Sequence, residues 1–204
     1  MFSLLGGFGP PPPPPRVPES VDAEPWHPKI KWQPHLRVRA NTYQTVSLFD
    51  VEPSGAHVNE ATPEQMVVSP CERWCYVEKR LPEGTALSTY RGAQRGLVAF
   101  DGDVIVPALH ERDRWGQWNK LPWMSLTPME LFTLRPGVRF AKGDVVVAGL
   151  GLGHQLIEVS RKKTVKRVRL IEKDQGLVDW LLPKIRPHLG RELSEVIVGD
   201  VYDE

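Results

Sequence analysis

Residues 144–174 constrain this chain more than any other stretch. A run of β-branched residues, Val145 to Val147, passes directly into glycines at alternate positions, Gly149, Gly151 and Gly153. A helix-compatible segment follows, then a second apolar run ending in Glu172. The order is strand, glycine loop, helix, strand, acid. Glycine lacks a Cβ, so such a loop can take left-handed backbone angles and lets a ligand approach the main chain. Amides at the start of the following helix suit an anionic or strongly polar group. The pattern then repeats. Leu177, Val178, Leu181, Leu182 and Ile185 recur at helical spacing, Pro187 to Gly190 form a stop, and a third apolar run, Val196 to Val198, leads to Asp200.

Strands alternating with helices in this order predict an α/β fold: the first three strands of a Rossmann-like, doubly wound parallel sheet, with ligand at the carboxyl ends of the strands. Three linked features point to a nucleotide-type ligand. The glycine loop opens a helix; Glu172 ends the second strand, where a carboxylate can accept from ribose hydroxyls; Asp200 ends the third, where it can accept from an exocyclic amino group. A dinucleotide fingerprint needs a small residue where His154 stands, which disfavours a nicotinamide-dependent oxidoreductase.

On a wider window, Val145 to Gly153, Arg169 to Asp174 and Val198 to Val201 resemble successive motifs of the class I S-adenosylmethionine-dependent methyltransferases, in their spermidine synthase-like branch. The segment Leu97 to Val106 is similar to the N-terminal hairpin of that branch, so the resemblance spans roughly residues 90–204. It implies S-adenosylmethionine as cofactor. The implied cofactor set is Gly149, Leu150, Gly151 and Gly153 around the methionine part, Glu172 on the ribose, and Asp200 with Val201 at the adenine. The implied reaction is methyl transfer to an acceptor that the sequence does not identify, and no catalytic residue is assigned. His154 is either a base near the sulfonium or a helix-surface histidine.

Glu111-Arg112-Asp113 is similar to the Glu-Arg-Asp of aminopropyltransferases, but Trp115-Gly116-Gln117-Trp118 stands where their Tyr-His-Glu element belongs, which disfavours polyamine synthesis. An aminopropyltransferase-like enzyme and a non-catalytic interaction module with a nucleotide fold remain as alternatives. Tyr43-Gln44 is similar to the family's Tyr-Gln, but lies about 50 residues before the hairpin and receives no role. The strands beyond the third that the family would supply are not found, so a longer gene product, an oligomer or a partner chain is expected to cover the exposed edge of the sheet.

The rest of the chain divides by composition. Residues 1–40 form a proline-rich tail, with an unbroken run from Pro10 to Pro15 that favours extended polyproline II. Trp26 and Trp32 suggest that its far end docks on the domain. Residues 41–125 read as a β-rich N-terminal layer, and 126–204 as the cofactor domain. Within the layer, 41–50 alternates as a strand, 51–65 is broken by Pro53, Gly55 and Pro63, and Asp101-Gly102 between two apolar runs signals a hairpin. Thr127-Pro128 starts a helix that should stop at Arg135-Pro136-Gly137 and pack beside the glycine loop.

A formal net charge of +1 gives no electrostatic case for nucleic acid, although Trp115, Trp118 and Trp123 with Arg112 and Arg114 could form a stacking platform; packing of the β layer is the preferred reading. Cys71 and Cys75 would share a helix face, with His57 as the one nearby further ligand, too few for a zinc site, so no metal is assigned. Two cysteines and no signal-like or bilayer-spanning stretch make a cytoplasmic protein the expectation, with no membrane partner.

Overall fold

The computed structural model describes residues 35–91 and 94–203; the tail residues 1–34, with Trp26 and Trp32, lie outside it. In chain order the strands are β1 (His35–Val38), β2 (Met66–Val68), β3 (Trp74–Leu81), β4 (Ala86–Arg91), β5 (Gln94–Phe100), β6 (Val104–Glu111), β7 (Met124–Ser125), β8 (Gly143–Ala148), β9 (Val165–Glu172) and β10 (Glu195–Val198). The helices are α1 (Pro128–Phe140), α2 (His154–Arg161) and α3 (Gln175–Ile185). No helix among the described residues is long and apolar enough to cross a membrane.

Three sheets form. β1 lies parallel to β5, which pairs antiparallel with β4. β2, β3, β6 and β7 make an antiparallel sheet in that order, and β10, β9 and β8 a parallel one. Side chains alternate across the antiparallel sheet because the strand period is two. On β3 and β6, Trp74, Tyr76 and Leu109 face the main core, whereas Cys75, Val77 and Ala108 face a small second core with Val58 and Trp118. The main core is continuous across all three sheets. It joins Val38, Val98 and Phe100, then Trp74 and Tyr76, then Val147, Val168 and Leu170, with Leu156, Leu181 and Ile185 from the helices.

This architecture overturns the expectation of a Rossmann-like, doubly wound fold. The described residues are mixed α/β and strand-rich, two of their three sheets contain antiparallel pairs, and the parallel sheet runs β10–β9–β8 with no reversal of order. A doubly wound sheet needs strands on both sides of its first strand. Among the described residues β8 pairs only with β9. The βαβ units read from periodicity are present, but local pattern cannot show how many other strands pair antiparallel.

Four local expectations are corrected too. Asp101-Gly102 does not close a hairpin, because β5 and β6 belong to different sheets. The turn instead carries the chain between sheets: the Asp101 carboxylate accepts from the Ala40 amide at 2.8 Å, and the Asp101 amide donates to Val38 at 3.1 Å. Residues 41–50 form no strand; a short 3-10 turn, Ala40–Thr42, leads into irregular chain that packs Tyr43 and Leu48 inward. Cys71 and Cys75 share no helix, since Cys71 lies in the turn before β3 and Cys75 within it. Finally, α1 runs through Pro136 to Phe140. The Lys162 ammonium, donating to the carbonyls of Val138 and Arg139, satisfies acceptors that the helix end leaves open. This helix packs on β4 and α2.

Candidate functional site

The carboxyl ends of β8, β9 and β10 lie side by side, and each leads into one of the residues singled out in the sequence. Gly149, Gly151 and Gly153 have φ of 84°, 48° and 77°, the left-handed region that β-carbons disfavour. Their surroundings differ. A Cβ on Gly153 would meet Ile185 Cδ1 at 2.6 Å, and one on Gly151 would meet Met124 Sδ at 2.1 Å, whereas nothing lies within 4 Å of one on Gly149. The alternating glycines therefore serve two purposes. Gly153 admits α3 against the start of α2, and Gly149 is the point where the main chain faces open space.

The loop spends most of its amides internally. Gly149 donates to the Ile171 carbonyl at 2.8 Å and Gly153 to the Leu150 carbonyl at 2.9 Å, while Leu152 donates to the Met124 thioether at 3.2 Å. The Leu150 amide donates to Glu172 Oε2 at 2.6 Å. The expectation of a row of outward amides is thus reduced: between 149 and 153, Gly151 N–H alone has no partner among the described residues. Leu150 itself is buried, so its side chain anchors the loop in the core and is not presented to a ligand.

Glu172 is buried and holds the loop and the next turn at once, because its Oε1 accepts from the Asp174 amide at 2.9 Å. A carboxylate oxygen carries two acceptor positions, so each oxygen keeps one after these bonds. Asp200 is more exposed, and accepts from the Lys173 ammonium at 2.8 Å and from the Tyr202 amide at 3.1 Å. The Lys173 hydrogen bond, followed by the Tyr202 amide, holds the Asp200 carboxyl below the usual carboxylate range. Val201 is exposed beside it, and Tyr202 more so. The glycine loop, Glu172 and Asp200 thus share one end of the parallel sheet, as the spacing implied.

Sequence reasoning missed Asp174. Its Oδ1 accepts from the Leu177 amide at 3.0 Å as the N-cap of α3, and its Oδ2 accepts from Arg73 at 2.8 Å and from the Trp74 indole at 3.2 Å. Arg73 also donates to Glu111 Oε1 at 2.8 and 2.6 Å. Trp123 stands edge-on to Trp74, with ring centroids 5.6 Å apart. These contacts bring β3 and the chain ahead of β7 against the strand ends. An aspartate just before a helical apolar period was the available signal for the cap; its partners on β3, about a hundred residues earlier, left no local trace.

His154 does not join this group. It opens α2 and lines a separate cleft of about 220 Å³ with Gln44, Leu126, Leu152, Glu158 and Arg161, which contains none of Gly149, Glu172 and Asp200. Burial lowers its pKa, with Glu158 opposing and Arg161 reinforcing, which favours a neutral imidazole. Gln44, given no role above, is brought to this cleft by Tyr43, whose hydroxyl donates to the Leu126 carbonyl.

The tryptophans do not act as one platform. Trp118 is buried with Arg112 over its ring at 4.4 Å, while Trp115 and Trp123 are exposed. Cys71 is exposed and Cys75 buried, and among the described residues no three His, Cys, Asp or Glu side chains gather as a metal set. Comparison with protein-family models, with curated proteins and with solved structures yields no match to this chain.

Proposed function

We propose that this chain binds S-adenosylmethionine at the carboxyl end of its parallel sheet, as part of a methyltransferase-type activity on an acceptor still to be identified. The observation that carries the reading is the convergence of the Gly149 opening, the Glu172 carboxylate and Asp200 on three adjacent strand ends. Each supplies a different recognition chemistry. The open backbone at Gly149 gives room for close approach, Glu172 retains acceptor capacity for vicinal hydroxyls, and Asp200 can exchange Lys173 for an exocyclic amine. The cofactor would supply the activated methyl group, and the chain's own residues would bind and orient it. No side chain is assigned as a base.

Calorimetric titration with S-adenosylmethionine, S-adenosylhomocysteine and NAD tests the reading. Binding of the first two and not the third supports it; binding of NAD alone, or of none, refutes it. Asp200→Asn separates a ligand contact from a scaffold contact because Asp200 caps no core element. The substitution should weaken S-adenosylmethionine binding through the loss of one charge-assisted bond, with unfolding unchanged.

A further inference from the structure

One stripe of α2 lines a cleft that the strand-end site does not use. His154, Ile157, Glu158 and Arg161 recur at helical spacing and, together with Gln44, border the cleft of about 220 Å³ described above. Its apolar lining is deep, since Leu126, Leu152 and Ile157 are almost fully buried. Its polar groups are mostly unspent. Neither ring nitrogen of His154 has a hydrogen-bond partner among the described residues, and neither is sealed from solvent as the Nε2 atoms of His57 and His110 are. The Gln44 carboxamide also has no partner among the described residues.

The charged pair in the cleft is loose as well. Arg161 Nη1 stands 3.5 Å from Glu158 Oε1, beyond the roughly 2.7 to 2.9 Å of a charge-assisted hydrogen bond, so neither group satisfies the other. Arg161 Nε donates to the His188 carbonyl at 3.2 Å, which steadies the guanidinium and leaves its Nη atoms for another acceptor. Glu158 and Arg161 therefore present one negative and one positive group side by side. His154 lies two turns before Arg161, roughly 10 Å along the helix axis at about 1.5 Å per residue. The cleft thus offers adjacent opposite charges at one end, neutral donors and acceptors at the other, and apolar side chains between.

We propose that this cleft binds a free α-amino acid whose side chain ends in a hydrogen-bonding group. An α-amino acid carries an ammonium and a carboxylate on one carbon, and so meets the Glu158–Arg161 pair with each charge facing its opposite. Its side chain then lies along Ile157 and Leu126, and its tip reaches His154 and Gln44, which between them both donate and accept. A volume of about 220 Å³ falls below the ~300 to 1,000 Å³ of drug-sized sites and suits a ligand this small. A simple anion would be opposed by Glu158 and a simple cation by Arg161, which favours the zwitterion over either. The site is independent of the strand-end reading, because the cleft contains none of Gly149, Glu172 and Asp200.

Titration of the full chain with L-glutamine, L-histidine and L-tyrosine, followed by amide nitrogen-15 chemical shifts, tests this. At least one should bind saturably and shift His154, Glu158 and Arg161 while leaving Glu172 and Asp200 in place. The N-acetyl form and the amide of the same amino acid each lack one charge, and should bind at least about tenfold more weakly through the loss of one charge-assisted contact. L-Leucine keeps both charges but has no polar tip, and should bind more weakly than the polar amino acid. Glu158→Gln should weaken binding to a similar degree as the block on the ammonium, with an unchanged circular dichroism spectrum. The blocked ligands are tested on the wild-type chain, so they decide the matter even where the variant folds poorly. Absence of saturable binding by all three amino acids, shifts at Glu172 and Asp200 in place of α2, equal binding of the blocked forms or of L-leucine, or unaltered binding in folded Glu158→Gln would each overturn the proposal.

Discussion

Replacing Glu172 tests whether one carboxylate holds the glycine loop in place. Its two oxygens accept from Leu150 at 2.6 Å and Asp174 at 2.9 Å, on a side chain that is 8% exposed with its residue. Glu172→Ala strands both amides, the first of them buried. An unsatisfied buried donor costs about 1 to 3 kcal/mol and a half-buried one less, so the loss should be about 2 to 4 kcal/mol. Glu172→Gln keeps one acceptor oxygen and should lose about half as much. Urea unfolding followed by tryptophan fluorescence reads both values, and the midpoint should shift without a change in slope. Equal destabilisation by Gln and Ala, or a loss under about 0.5 kcal/mol for Ala, would refute the two-bond account. Because Glu172 is also scaffold, any affinity loss in its variants must be read against this stability loss.

The glycines should separate in the same assay: Gly149→Ala meets only the left-handed φ and should cost about 1 to 2 kcal/mol, whereas Gly153→Ala adds a clash with Ile185 and should cost at least about 1 kcal/mol more. If the two are equal, the packing role of Gly153 is wrong. Asp174→Ala loses the α3 cap and the acceptor of Arg73 and the Trp74 indole, and should destabilise by about 2 to 3 kcal/mol. Asp174→Asn, a fair cap but a weak partner for Arg73, should recover the cap share alone; full recovery would mean that the β3 contacts add nothing.

Much of the parallel-sheet half was legible because it is local. Val145 to Val147, the alternating glycines and the helical period from Leu177 to Ile185 each fix an element through neighbours a few residues away, and those elements formed where expected. Glu172 and Asp200 followed, since the residue ending a parallel strand is set by the strand itself. The errors arose where the outcome depends on distant partners. Asp101-Gly102 has the composition of a hairpin turn, yet its carboxylate is claimed by Ala40, about sixty residues away, and the chain changes sheet. Pro136 has the chemistry of a stop, yet Lys162 supplies donors to the carbonyls beyond it.

By itself, then, the sequence determined the βαβ units, the backbone freedom at Gly149, Gly151 and Gly153, and the acids at the strand ends, because period and residue type act over short range. Only the tertiary structure decided that antiparallel pairing dominates, that Met124 and Ile185 close two of the three glycines, that Glu172 is already engaged with Leu150, and that His154 faces another cleft. Those outcomes rest on which surfaces meet, and contacts between residues far apart in sequence leave no periodic trace along it.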